Sequence, residues 1–258
     1  MIFIKSPEEI AVMQEASLIL SKLHGLVAEN IKPGVTTITL DKLAEEFVRD
    51  NGASPSFKGY RGFPHTLCTS VNDCVVHGVP NIIPLKDGDI LSVDSGVYYK
   101  AFHSDSAFTH FVGEVGADIK KLLKVTEESL YIGIKVINCG GGVRVGDIGY
   151  AIQNYVQSHG FSVVRELVGH GVGRSLHESP DVPNYGAKGT GVKIKNGMVL
   201  AIEPMVNMGR SNIVRVGKFE IKTLDKKLSA HFEHTVAVVD GMAQILTTFD
   251  YIKKNIAY

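Results

Sequence analysis

Two segments of the chain repeat one pattern, and each ends in a carboxylate. Residues 85–94 and residues 194–203 align without a gap: a basic residue, an Asp-Gly or Asn-Gly turn, and an apolar run that ends at Asp94 or Glu203. A carboxylate in an otherwise apolar strand is costly to bury unless it is paired or bound to a metal ion. The repeat therefore predicts two related halves that bring acidic side chains to one centre.

Two weaker repeats add histidines and further carboxylates. They are residues 76–79 and 169–172, which contain His77 and His170, and residues 105–108 and 233–236, which begin with Asp105 and Glu233. Each residue alone is typical of an ordinary strand or loop. Together, four crowded carboxylates would repel one another and take up protons, whereas two divalent cations would balance their charge. One imidazole completes a set that favours Mn²⁺, Fe²⁺ or Co²⁺ and leaves Zn²⁺ and Ni²⁺ open.

The composition is that of a globular chain without a charge bias. It has 258 residues, with 27 basic and 27 acidic side chains and a formal net charge of zero, which argues against a nucleic-acid partner. The first residues lack a signal-peptide pattern, and no stretch approaches the ~18 apolar residues of a membrane helix. The three cysteines fit no close-spaced zinc pattern and indicate reduced thiols. These features predict a cytoplasmic protein without a membrane partner.

Helix signals come first in each half, and strand signals follow. The predicted helices run from a capping box at Ser6 to about residue 32, from Thr37 or Thr39 to about residue 51, and over residues 117–138 and 147–158. The predicted strands cover residues 90–99, 105–112, 161–165, 198–203, 213–223, 232–239 and 243–249. This order predicts an α+β class. We expect one compact domain over residues 1–258, with pseudo-twofold halves at roughly 1–115 and 116–258.

Five stretches resemble the signatures of one enzyme family. They are residues 68–72, 77–80, 169–173, 201–204 and 228–235, and the resemblance extends from about residue 4 to residue 250. It is a resemblance to the methionine aminopeptidases. The 33 positions between His170 and Glu203 leave no room for the long insertion of the type II enzymes, so the chain is similar to the bacterial-style type I. The resemblance implies the pita-bread fold, with an antiparallel sheet flanked by helices.

The resemblance also implies a set of metal ligands. The five dimetal ligands of the family correspond to Asp94, Asp105, His170, Glu203 and Glu233. Asp94 would chelate one ion, Asp105 and Glu233 would bridge both, and His170 and Glu203 would bind the other. A weaker correspondence matches a monovalent-cation site to Asn72, Cys74 and Ser229.

The catalytic roles that the resemblance implies centre on Glu203 and two histidines. A metal-bridging hydroxide would attack the scissile carbonyl, and Glu203 would act as proton shuttle. His177 would stabilise the developing oxyanion together with the metals. His77 would contact the substrate amide nitrogen, although the internal repeat alone would make it a ligand like His170.

The resemblance places an apolar pocket for a methionine side chain beside this centre. Three residues depart from those usual in the family: Phe219, where bacterial members often carry tryptophan, Arg61 and His231. The expected substrate-binding residues are Phe57, Tyr60, Phe63, Cys68, His77, Leu176, His177 and Phe219.

The family implies a peptide or nascent-chain substrate with an N-terminal methionine and a small second residue. It also suggests a monomer and a ribosomal partner. Two other functions stay open at this point: another pita-bread peptidase, of the Xaa-Pro aminopeptidase or prolidase type, or a non-catalytic pita-bread binding module.

Overall fold

The structure, a computed structural model, describes residues 1–253. Two pairs of long helices alternate with strands along the chain, and a short helix follows the last strand. The α-helices are α1 (Pro7–Asn30), α2 (Thr37–Asp50), α3 (Ala117–Val136), α4 (Val145–Ser158) and α5 (Asp250–Lys253). Single 3₁₀ turns lie at Tyr60–Gly62 and Ile137–Cys139.

The strands are short outside one long hairpin. They are β1 (Ser54–Pro55), β2 (Leu67–Val71), β3 (Cys74–Val76), β4 (Ile90–Tyr99), β5 (Phe102–Phe111), β6 (Ser162–Val163), β7 (Val168–Gly171), β8 (Glu178–Pro183), β9 (Val199–Ile202), β10 (Met205–Asn207), β11 (Ile213–Val216), β12 (Glu220–Thr223), β13 (Ser229–His231), β14 (His234–Val239) and β15 (Met242–Ile245).

The start of α1 follows from its sequence. The Ser6 hydroxyl accepts a hydrogen bond from the Glu9 amide at 3.2 Å, and the Glu9 carboxylate accepts one from the Ser6 amide at 3.0 Å. Pro7 occupies the first helical position, where its missing N–H costs nothing. The capping box thus satisfies two otherwise unpaired donors and confirms the predicted helix start.

Two antiparallel sheets carry the acidic residues. In one, β4 pairs with β5 along its whole length and, on its other edge, with β2 and then β1. In the other, the strand order is β15-β14-β9-β7-β8. The β4–β5 hairpin turns at Lys100 and Ala101, whose φ angles of 47° and 69° are those of a tight hairpin turn. This hairpin and the β9–β14 pair are the corresponding elements of the two sequence repeats, so the mixed α+β architecture is confirmed.

A polar seam joins the two sheets. Ala107 on β5 pairs with Glu233 in an antiparallel bridge, and the Glu233 amide donates to the Ala107 carbonyl at 2.9 Å. On one side of this bridge, the Thr109 hydroxyl contacts both the amide and the carbonyl of His231 at 2.8 Å. On the other side, the Thr235 hydroxyl contacts the carbonyl of Asp105 at 2.7 Å and its amide at 3.0 Å. On each side of the bridge, a threonine hydroxyl therefore takes the place of the backbone hydrogen bonds that would otherwise join the two strands.

The buried core crosses the boundary between the halves. Helices α1 and α2 pack with the first sheet, where Leu23, Leu40 and Leu91 belong to one apolar cluster. Helices α3 and α4 pack on the second, but that cluster also contains Ile90 and Phe108 from the first half. A third cluster joins residues of α1 to the second sheet: Ile10, Met13, Val172, Val199, Ala201 and Ala237.

The strand predictions were wrong or missing where a strand is short or where a turn interrupts the apolar run. The predicted strand 213–223 is the hairpin β11–β12, because Gly217 turns the chain with a φ of 64°. Strands β7, β8, β10 and β13 and helix α5 were not predicted. Their pairing depends on distant partners, as in the pairing of β10 with β13 and β6, and local patterns do not carry such information. Helix α3 ends at Val136, two residues early, since the chain tightens into a 3₁₀ turn.

Helix α1 is long and apolar enough to cross a membrane by length and composition alone. The sequence expectation concerned a run of ~18 apolar residues, and α1 does not contain one, because Gln14, Glu15 and Lys22 interrupt it. In the fold, 56% of the relevant window is buried, and α1 contacts β4, β5, α2 and α5. Core helices of globular proteins pass the same test, and the burial of α1 is of that kind.

The seam predicts a specific loss of stability in Thr109→Val. Valine has a similar shape but leaves the His231 amide and carbonyl and the Ser92 hydroxyl without their 2.8 Å partner. We expect a loss of about 1–3 kcal/mol in the free energy of unfolding, measured by urea denaturation. Thr109→Ser keeps the hydroxyl and is the matched control. Equal free energies of unfolding for the two variants would contradict the stabilising role of the Thr109 hydroxyl.

Candidate metal centre

Five elements bring the predicted ligands together. Asp94 lies in the middle of β4 and Asp105 on the neighbouring β5. His170 lies in β7, Glu203 directly follows β9, and Glu233 directly precedes β14. All five side chains line one cavity.

The tightest part of this cluster consists of one imidazole and two carboxylates. Ligand atoms of Asp105, His170 and Glu233 all lie within 4.8 Å of one another. The Nε2 atom of His170 is 3.8 Å from Asp105 Oδ2 and 3.6 Å from Glu203 Oε1. Asp94 belongs to the same wall of the cavity, because it pairs in register with Ala107, the residue bridged to Glu233.

Several of these oxygens have no partner of their own. Asp105 and Glu233 are 3% and 2% exposed. One carboxylate oxygen each of Asp94, Asp105 and Glu233 is buried without a hydrogen-bond partner in residues 1–253. Buried acceptors without donors are strongly unfavourable, whereas divalent cations would satisfy them. The oxygen-rich donor set with one nitrogen therefore fits divalent metal ions.

Electrostatics lead to the same conclusion. Burial raises the pKa of Asp94 to about 7 and that of Glu203 to about 7, with weaker contributions from neighbouring charges. Burial and then neighbouring carboxylates raise the pKa values of Asp105 and Glu233 further above their usual range. Without cations, the cluster therefore retains protons at neutral pH.

The backbone sets the orientation of His170. Its Nδ1 lies 2.9 Å from the carbonyl oxygen of Gly171. Because that oxygen can only accept, Nδ1 carries the proton and Nε2 offers a lone pair toward the carboxylates. The flanking glycines are required by close packing: a Cβ at Gly169 would lie 2.3 Å from the Ala201 carbonyl oxygen, and one at Gly171 would lie 2.5 Å from that of Ser179.

His231, one of the departures from the family, lies just behind the cluster. It is buried, its Nε2 lies 3.5 Å from Glu203 Oε2, and burial lowers the pKa of its imidazole. The residue does not line the cavity. It therefore alters the surroundings of Glu203 rather than the shape of the pocket.

An open cavity of about 330 Å³ adjoins the carboxylates. Its apolar side is the cluster formed by Phe57, Phe63, Cys68 and Leu176, against which Tyr60 and Phe219 pack. Phe63 and Phe219 meet edge to face, with centroids 5.2 Å apart. All the expected substrate-binding residues line this cavity, as does Arg61.

Two histidines face the same space from opposite elements. His177 stacks on Tyr60 with centroids 5.2 Å apart and lies 4.1 Å from the His170 ring. His77 follows β3 in a left-handed conformation, with a φ of 59°. It is not part of the tight ligand group, although the repeat pairs it with His170. Both residues are exposed by relative surface area, although the cavity walls crowd their rings. Loss of solvent around the rings and then neighbouring imidazole and guanidinium groups lower the pKa values of both, which favours their neutral forms.

Two residues of the cavity wall were missed from the sequence. Arg215 and Lys218 line the cavity together with Phe219. The β11–β12 hairpin brings them there, and that hairpin was predicted as a single strand. The Gly217 between them was the available sequence signal for a turn.

The three residues matched to a monovalent-cation site occupy neighbouring positions. The Asn72 carbonyl accepts a hydrogen bond from the Ser229 amide at 3.0 Å. Asn72 has a left-handed φ of 54°, and Cys74 begins β3 two residues later. The Cys74 thiol is free and buried, as expected for a reduced cysteine.

Comparisons with known proteins agree with this site. The model of metallopeptidase family M24 matches residues 11–240. A methionine aminopeptidase from Clostridium perfringens is 49% identical over 248 residues, which cover 96% of this chain and 99% of the relative.

Two solved structures share the fold. The crystal structure of methionine aminopeptidase from Rickettsia prowazekii is 38% identical, with a TM-score of 0.94, and the match covers 96% of this chain and 100% of that one. A prolidase from Pyrococcus furiosus, at 23% identity and a TM-score of 0.76, shares the fold over 95% of this chain and 65% of its own. Such a fold with this donor set defines a metallopeptidase. The chain belongs to metallopeptidase family M24 and, within it, to the type I methionine aminopeptidases, as the sequence predicted.

The raised pKa values predict that the metal-free protein loses stability as the pH rises from 6.5 to 8. In this window unfolded carboxyl groups are ionised, while the folded cluster still holds protons. Each retained proton lowers the free energy of unfolding by about 1.4 kcal/mol per pH unit. Between about pH 4.5 and pH 6.5, His24, His110 and His234 act in the opposite direction, because burial lowers the pKa values of their imidazoles. They offset part of the carboxylate effect there, so the range above pH 6.5 reports most directly on the carboxylates.

The measurement is urea denaturation of metal-free and Mn²⁺-loaded protein across this pH range. The loaded protein is the control, since metal affinity rises with pH as ligands deprotonate. If the free energy of unfolding changed with pH equally in the two forms, the carboxylates would not be the groups that retain protons in the folded state.

Proposed function

We propose that the protein is a metal-dependent aminopeptidase that removes the N-terminal methionine from polypeptides with a small second residue. The observation that carries this proposal is the position of the ligand cluster at the end of a cavity with apolar aromatic walls. A free chain terminus can place its side chain against those walls and its amine and first peptide bond at the cluster. The named relatives support the same substrate.

We infer that two divalent ions bind at the cluster. Their ligands would be Asp94, Asp105, His170, Glu203 and Glu233. When bound, such ions activate a water molecule and polarise a carbonyl group. Carboxylates with one imidazole suit Co²⁺, Mn²⁺, Fe²⁺, Zn²⁺ and Ni²⁺. We also propose a monovalent cation near Asn72, Cys74 and Ser229, where the Asn72 carbonyl lies at the junction of two sheets.

The side chains around the ions would orient the peptide and move protons. Glu203 would take a proton from the attacking water and return it to the leaving amine, because its carboxylate lies at the cavity and close to His170. His177, held by its stack on Tyr60, would donate a hydrogen bond to the carbonyl oxygen as charge develops there. His77 would contact the amide nitrogen of the scissile bond.

The apolar walls would select the methionine side chain. Phe57, Phe63, Leu176 and Phe219 offer polarisable aromatic and aliphatic surface, which suits a flexible thioether. Burial raises the pKa of the Cys68 thiol well above its usual value, so this wall residue stays neutral.

The whole chain would work as one catalytic domain, since its apolar clusters combine residues of both halves. We further propose a cytoplasmic monomer that acts on peptides or nascent chains, with the ribosome as a partner suggested by the family alone. No nucleic-acid or membrane partner is proposed.

Metal-depleted protein reconstituted with one ion at a time should release free methionine from Met-Ala-Ser. Each ion is supplied separately, and released methionine is measured by chromatography. Activity should be absent without divalent ions and return with at least one of them, because the cluster needs cations to hold its carboxylates ionised.

Two parallel substrates test the alternatives. A Gly-Pro dipeptide and an Xaa-Pro-Xaa peptide should resist cleavage. Their cleavage in preference to Met-Ala-Ser would indicate a peptidase of the prolidase type. Binding of Met-Ala-Ser without turnover for every ion would indicate a non-catalytic binding module.

Glu203→Gln should lower kcat by about 10²- to 10⁴-fold, because the amide cannot move a proton. Circular dichroism and urea denaturation should show that the fold remains. Glu166→Gln makes the same chemical change at an exposed position outside the cavity and should retain full turnover. Unchanged kcat in the Glu203 variant would contradict its assigned role.

A further inference from the structure

Three positive side chains stand on the cavity wall beyond the metal cluster. Arg61, Arg215 and Lys218 all line the cavity and all are exposed. The cavity's other charged residues are the four carboxylates of the metal cluster. With two divalent ions bound, the cluster would be close to neutral, and the three cations would dominate the charge of the cavity.

Backbone contacts hold two of the cations on this wall. A Cβ built on Gly62 would lie 3.1 Å from Lys218 Nζ, so this ammonium group lies against the backbone that follows Arg61. Arg215 Nη1 donates to the Lys218 carbonyl oxygen at 3.1 Å. Three positive side chains therefore belong to one part of the cavity wall, and an anionic ligand would match their charge.

None of the three has a carboxylate partner within residues 1–253 at ion-pair distance. Some other exposed cations do: Lys58 lies 2.6 Å from Glu45, and Lys100 lies 2.7 Å from Glu15. Two of the cavity cations instead rest on aromatic rings of the apolar wall. Arg61 lies over Tyr60 at 5.3 Å from the ring centroid, and Lys218 lies over Phe219 at 5.0 Å.

The backbone at Arg61 is unusual for a residue with a side chain. Its φ is 48°, a left-handed conformation, in a 3₁₀ turn between Gly59 and Gly62, whose φ angles are also positive. Such strain in a residue other than glycine is concentrated at binding and catalytic sites. The turn fixes the direction in which the guanidinium leaves the chain.

The path that a peptide would take through the cavity shows which of its residues would lie near the cations. The first side chain would lie against the aromatic walls, and the first peptide bond would lie at the carboxylates. The remaining chain must leave by the open side, where the exposed wall residues stand. An extended chain advances about 3.3–3.6 Å per residue, so the third and fourth residues are the next to pass them.

We propose that Arg61, Arg215 and Lys218 form a binding site for acidic side chains at the third and fourth residues of the peptide substrate. This inference rests on the proposed aminopeptidase function and adds a preference within it.

The test compares the C-terminally amidated peptides Met-Ala-Glu-Ser, Met-Ala-Gln-Ser and Met-Ala-Lys-Ser with Mn²⁺-loaded enzyme. One exposed ion pair changes an equilibrium by roughly 1.4- to 5-fold, so three cations should favour Glu over Lys by about 10-fold in kcat/KM. The difference should lie in KM, because the contact is equal in the ground and transition states. It should shrink between about 20 mM and about 0.5 M salt.

The double variant Arg61→Gln, Lys218→Gln leaves only Arg215 and should lower the Glu-to-Lys ratio from about 10 to about 2. Lys58→Gln removes the same charge from a nearby position outside the cavity and should keep the wild-type ratio. The salt dependence of the wild-type enzyme tests the inference even if the double variant does not fold.

Cleavage of all three peptides with equal kcat/KM at low salt would overturn the inference and leave the proposed function intact. A preference that lies wholly in kcat would also overturn it, because a binding site acts on KM. Failure to release methionine from Met-Ala-Gln-Ser would instead refute the proposed function itself.

Discussion

The fold places four carboxylates close together, where they repel one another. The same strands that carry these carboxylates also keep them from moving apart. The oxygens of Asp94, Asp105 and Glu233 that lack partners are buried by the same strands that carry them. Hydrogen bonds from Thr109 and Thr235 tie these strands across the seam, so the acids cannot move apart without breaking it. Protons or divalent cations are therefore the two ways to relieve the charge, and the choice between them depends on pH.

The pseudo-twofold arrangement provides a symmetric scaffold but an asymmetric site. Both sheets contribute carboxylates around the Ala107–Glu233 bridge. The two histidines related by the repeat differ, because His170 lies within a strand and points at the acids, whereas His77 sits in a left-handed position after β3. In the proposed function, the first half would thus supply a residue for the substrate where the second would supply a ligand. This difference would allow one side of the cavity to bind metal ions and the other to bind peptide.

The sequence was sufficient for features that depend on local pattern or on motifs. The capping box at Ser6, the β4–β5 hairpin region and the ligand residues were predicted because periodicity and repeated segments mark them directly. Short strands such as β10 and β13 were not, since each is defined by partners far away in the chain. Arg215 and Lys218 were missed for a different reason: the turn signal at Gly217 was not used, so the β11–β12 hairpin that brings Arg215 to the cavity was predicted as one strand.

The cavity combines three kinds of side chain: buried acids, apolar rings and exposed cations. A peptide terminus carries a positive amine, whereas the rest of a chain ends in a carboxylate. An acidic end of the cavity attracts the amine until metal ions balance it, and the cations at the opening attract negative charge on the chain that remains outside. Both effects favour entry with the amine first. Aminopeptidase polarity would therefore follow from the order of charges along the cavity as well as from contacts at the scissile bond.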